Sequence, residues 1–220
     1  MLRLRSLVAA FAVFAGFAQA DVITKAPDLG AFWNPLDGEN GTYIYANSFV
    51  ATSDLPVVEL GMWLQRLTAP GPEIAFEVYD SVGGDPLAGP DTQSVLATTG
   101  LLSLPVTSSL DFFSAPTLPG ASTLVAGQTY WFGANVIGST SPGAYLTGGH
   151  TRNSVIVDNG TFWYSNDPSG ISFDGQGLTP EMAFQVTLAP VPEPGTLTLL
   201  GLGLAGAALR RRRRGSAAGA

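Results

Sequence analysis

The sequence predicts an all-β fold, an antiparallel β-sandwich of jelly-roll or immunoglobulin-like type, set between two terminal segments of different character. Three observations predict it. Short alternations of apolar and polar residues, the period-2 pattern of half-buried strands, recur through residues 21–190. Turn formers separate them, from a chain with 27 glycines and 16 prolines in 220 residues. No part of this body shows the 3.6-residue period of an amphipathic helix.

The predicted strands are residues 43–49, 57–67, 73–79, 94–98, 128–137, 161–164 and 183–188. In the second, Val58, Leu60, Met62 and Leu64 share one face; in the third, Ile74, Phe76 and Val78 do, with Glu73 and Glu77 opposite. Tyr130, Phe132, Ala134 and Val136 alternate with Trp131, and Phe184, Val186 and Leu188 make a last apolar face. Seven or more such strands favour a sandwich over a barrel, and no fixed repeat points to a propeller or solenoid. A body of this length buries a core without staples, and with no cysteine in the chain there are none.

Residues 1–20 read as a signal peptide. Arg3 and Arg5 supply the basic start, residues 7–17 the apolar centre, and Ala18-Gln19-Ala20 a small-x-small cleavage site before Asp21. Signal peptidase and the Sec machinery are therefore expected partners. At the other end, residues 196–209 form an apolar run followed by Arg210, Arg211, Arg212, Arg213 and Arg214. The expectation is a short C-terminal transmembrane helix stopped by the arginines, with the sandwich outside the cytoplasm under the positive-inside rule. As a helix the run is only about 21 Å long, against a hydrocarbon core of about 30 Å. Residues 215–220 are expected to be a disordered tail.

The net charge of −7 conceals a partition. Seven of the ten basic residues lie in the terminal segments, so residues 21–190 carry three, Lys25, Arg66 and Arg152, against sixteen of the seventeen acids, a net −13, the last acid being Glu193. Such a body has no basic surface for phosphates, which excludes nucleic acid as a partner.

Val191-Pro192-Glu193-Pro194, followed by Gly195, the apolar run and the arginine cluster, resembles the PEP-CTERM sorting domain over residues 190–214. The resemblance implies recognition of Pro192, Glu193 and Pro194 by an exosortase, a membrane-embedded cysteine transpeptidase of bacteria that make exopolysaccharide. The physical logic agrees: two prolines fix φ and remove two amide donors, so the motif stays extended and joins neither sheet nor helix. Residues 40–137, with Tyr43 to Phe49, Val78-Tyr79-Asp80, Gly83-Gly84-Asp85-Pro86 and Leu124 to Phe132, also look similar to β-sandwich modules that precede anchoring signals in bacterial surface proteins. That resemblance implies fold and exported context, and no site.

Catalytic signals are sparse. His150 is the single histidine and sits in a glycine-rich stretch read as a loop; no Gly-x-Ser-x-Gly elbow accompanies it. Zinc lacks ligands. A carboxylate-pair glycosidase needs only two acids, and no pair among seventeen stands out. Calcium needs only oxygen donors; Asp37 and Glu39 in one acidic turn, and Asp167 and Asp174 in another, are the candidate ligands, with plain turn chemistry as the competing reading. No other cofactor is expected. Trp163 and Tyr164 are the candidate stacking residues for a glycan, because neighbours on a strand cannot both face the core. The expected function is that of a noncatalytic exported surface or extracellular-matrix protein, associated with exopolysaccharide or biofilm; the alternative is a carbohydrate-binding module or carbohydrate-active enzyme.

Overall fold

The structure, a computed structural model, describes residues 20–27, 31–36, 43–66, 73–85, 87–137, 145–150, 162–166, 169, 175–177, 181–190 and 203. The chain divides into two compact units, Asp21–Ala189 and the two terminal segments Met1–Ala20 with Pro190–Ala220. The first unit holds all the described strands: β1 (Val22–Lys25), β2 (Ala31–Leu36), β3 (Ile44–Val50), β4 (Val57–Arg66), β5 (Ala75–Ser81), β6 (Pro90–Thr98), β7 (Asp111–Pro116), β8 (Thr129–Asn135), β9 (Tyr145–His150), β10 (Phe162–Ser165), β11 (Gly175–Gly177), β12 (Glu181–Met182) and β13 (Phe184–Leu188).

They form two antiparallel sheets. The first runs β1-β13-β4-β9-β12, with β7 also paired to β4 and β2 to β9; the second runs β11-β10-β3-β8-β5-β6. Inner-face side chains of both, among them Leu60, Met62, Leu64, Phe76, Val78, Phe132, Ala134, Phe184 and Val186, make one buried core. Alternation explains most of this. Ile74, Phe76 and Val78 point inward while Glu77 points out half-buried, and Tyr130, Phe132, Ala134 and Val136 point inward while Trp131 enters a separate cluster on the outer face.

Alternation fails at Val58, which is 37% exposed and not on the face of Leu60. The β13 to β4 register shifts between Thr187 and Leu188, so that Glu59 faces Thr187 while Val57 faces Leu188. One extra residue on β4 turns Val58 out. The stretch Thr147 to His150, expected as a loop, is strand β9, held by β2, β4 and β12. Asn47, fully buried on the inner side of β3, ties the sheets together by accepting a hydrogen bond from Met182 N of β12 at 3.0 Å through its Oδ1.

The expected C-terminal transmembrane helix requires correction. Among the described residues no helix is long and apolar enough to cross a membrane; of residues 196–209 only Gly203, in helical conformation, is described. A run of fourteen apolar residues falls short of a bilayer core on length alone. Membrane as a partner held through that helix, and a location defined by it, are withdrawn with it.

Candidate functional site

Chain entry and exit lie side by side on the sandwich. β1 pairs with β13, Val22 opposite Thr187, and Leu188 N donates to Asp21 O at 2.8 Å. Ala189 N donates to Pro56 O at 2.9 Å, so backbone order extends to the residue three before Pro192. Asp21, Pro56, Leu188 and Ala189 therefore share one pole of the sandwich.

The pole is polar and acidic. Asp21, the first residue after the expected cleavage, accepts hydrogen bonds from Thr52 Oγ1 at 2.6 Å and Ser53 Oγ at 2.5 Å, both on Oδ2. Asp54 Oδ1 accepts from Ala126 N at 2.7 Å. The Ser53 and Thr52 hydroxyls hold the Asp21 carboxyl below the usual carboxylate range, outweighing its slight desolvation. A depressed folded pKa adds stability above the unfolded value, and this is lost as pH falls through the folded one. An Asp21→Asn variant is accordingly expected to melt below wild type at neutral pH and to match it at about pH 2, by thermal unfolding; at a surface site the gap stays within about 1 kcal/mol.

The structure separates the two candidate stacking residues. Trp163 and Tyr164 of β10 lie on opposite faces of the second sheet: Tyr164 packs against the main core, Trp163 against the outer cluster of Ile44, Ala46, Tyr79 and Trp131. Trp163 is held there by the loop after β5. A Cβ on Gly89 would stand 3.0 Å from Trp163 Cε2, and Gly89 has φ +91°, so only glycine allows the loop to lie against the indole.

A polar group on the same face escaped the sequence reading. Glu77 accepts from Tyr79 Oη and, at 2.9 Å, Asn135 Nδ2 on Oε2, and at 3.3 Å from Thr98 Oγ1 on Oε1. Trp131 Nε1 donates to Ser81 Oγ at 3.2 Å. Alternation places Glu77 outward beside Tyr79 of its own strand, but the other two partners, Thr98 and Asn135, lie on β6 and β8, which no local pattern pairs with it. With three donors on one carboxylate, this group serves to seal the outer cluster.

Several expected site residues lie outside the described residues: Ala18, Asp37, Glu39, Asp167, Asp174, Val191 to Pro194, and Arg210 to Arg214. Ala20 is described beside Asp21. His150 closes β9 with Glu181 opposite in register. Among the described residues no group of three or more His, Cys, Asp or Glu side chains is placed to hold a metal ion.

Comparison with known proteins identifies residues 190–214 as a PEP-CTERM protein-sorting motif. The motif begins two residues after the last strand and supports export and sorting of an exosortase substrate with a β-rich ectodomain. No curated protein matches the chain.

Proposed function

We propose that this chain is a noncatalytic surface or extracellular-matrix protein whose sandwich is the delivered cargo and associates with exopolysaccharide. The observation that carries the reading is the sorting motif at residues 190–214, directly behind a completed sandwich. β13 lies between β1 and β4, so a cut within Pro192-Glu193-Pro194 removes none of the described strands of the cargo. The outer-face carboxylate of Glu77 is engaged by protein donors, which favours a structural over a catalytic role.

Intact-mass analysis with cell fractionation in the producing host tests the handling. Wild type is expected to lose its C-terminal segment and leave the cytoplasm. A Pro192→Ala, Glu193→Ala, Pro194→Ala variant is expected to keep the segment and mislocalise. Identical mass and location for the two proteins would defeat the proposal.

A further inference from the structure

On the outer face of the first sheet, Trp63 of β4 stands opposite Phe112 of β7. Their ring centroids are 4.5 Å apart and the planes meet at 46°. Both rings are on the solvent side, since the inward positions of these strands are Leu60, Met62, Leu64 and Phe113, which pack on the core. Phe112 lies across Gly61, where a Cβ would stand 2.5 Å from its Cζ and 2.8 Å from its Cε2. One face of the ring thus rests on the β4 backbone, and Phe112 remains 38% exposed. The second sheet uses the same device, Tyr79 across Gly133, but that ring is 1% exposed. Where the device only stabilises, it is covered; at Phe112 it is open.

Among the described residues the platform is bordered mainly by polar groups and carries no exposed positive charge. Thr24, Gln185 and Ser114 stand in register with Gly61, across β1, β13 and β7. In the next row Glu59 accepts from Ser114 Oγ, and Gln185 Nε2 donates to Thr187 Oγ1 at 3.3 Å. The described basic residues, Lys25 and Arg66, are buried, Lys25 against the Phe184 ring in the core. An anionic ligand therefore finds no described cation on this face, and the body's net negative charge repels it. An uncharged pyranose fits: its C–H face stacks on an aromatic ring while its rim hydroxyls donate to and accept from amide and hydroxyl groups. At about 4.8 Å between strands, the four-strand row spans about 14 Å, the scale of a short oligosaccharide.

We propose that Trp63 and Phe112 form a stacking platform for a neutral pyranose polysaccharide, with Thr24, Gln185 and Ser114 as its hydrogen-bonding rim. The platform rests on the matrix reading for its setting, and names the ligand class and the face. Electrophoresis of the purified full chain through gels containing a mixed-linkage β-glucan, a galactan, a galactomannan or polygalacturonate tests it. Retardation by at least one neutral polymer, and none by polygalacturonate, is expected. Trp63→Ala and Phe112→Ala should each weaken it about tenfold, and Trp163→Phe should leave it unchanged. If Phe112→Ala loses its fold, Phe112→Leu and Gln185→Ala carry the comparison, each with weakened retardation expected. No retardation by the neutral polymers, retardation by polygalacturonate alone, or binding that survives the Trp63 and Phe112 substitutions overturns the proposal. So does a dimer in sedimentation that Phe112→Leu dissociates, which would make the face a contact between copies. Correct tail processing alongside any of these results would leave the sorting reading standing.

Discussion

Truncating Phe184 to alanine is expected to lower the unfolding free energy by about 3–5 kcal/mol, the range for a fully buried phenylalanine. The ring is 0% exposed. It comes from the first sheet and stacks on Phe132 of the second at 4.7 Å with planes 5° apart, and its centroid lies 6.0 Å from that of Phe49. Lys25 Nζ sits 5.9 Å from the same centroid, so the ring also shelters the stem of a buried lysine. Relaxation into the cavity is restricted, because β13 is hydrogen-bonded on both sides, Phe184 facing Lys25 on β1 and Met62 on β4. Urea unfolding should show a lower midpoint with an unchanged slope. A loss under about 1 kcal/mol would mean that the sheets do not interlock at this residue. Since β13 is also the strand from which the sorting tail leaves, the same substitution is expected to expose the tail's attachment point to proteolysis.

Much of this architecture was legible where one strand face is apolar and the other is not. β5 and β8 announce themselves because Phe76 and Val78, or Phe132 and Ala134, alternate with residues that meet a different environment. β1 and β7 did not. β1 is four residues long and places Lys25 at an inward position, which the pattern counts as polar and outward. β7 sets Phe112 and Phe113 side by side, one on each face. β9 contains Gly148 and Gly149, turn formers in isolation, and is held in extended form by the flanking strands. Tertiary pairing overrode local propensity in each case.

The candidate sites divide in the same way. The motif at residues 190–214 is contiguous and needs no fold to be read. Alternation within β10 correctly implied that Trp163 and Tyr164 part company, but not that the Gly89 loop would lie against the indole. Trp63 and Phe112 are 49 positions apart, and only the β4 to β7 register brings them together over Gly61. A glycine within a strand was the one signal available, marking a place where another group approaches closely.

Gly133→Ala is expected to cost about 1–3 kcal/mol, because the added methyl would lie 2.3 Å from Tyr79 Cε2 and the ring has little room to retreat. The consequence reaches beyond sterics, since Tyr79 Oη donates to Glu77 and a displaced ring takes that donor away. Burial, then the negative charge of Glu77, then the hydrogen bond to it push the Tyr79 hydroxyl well above its ordinary value. A pKa higher in the folded than in the unfolded state leaves the contribution intact below about pH 10, the unfolded value, and removes it progressively as pH rises further. In an absorbance titration, one of the six tyrosines is therefore expected to ionise only together with loss of the near-UV dichroism of the folded chain. In Tyr79→Phe that linked step should vanish, at a cost near neutrality of about 1–3 kcal/mol for the donor withdrawn from Glu77. Reversible ionisation of Tyr79 near pH 10 in the folded protein, read as the absorbance step that Tyr79→Phe removes, would show that Tyr79 is open to solvent. The outer cluster it closes with Trp131 and Trp163 would then be a cleft instead of a second core.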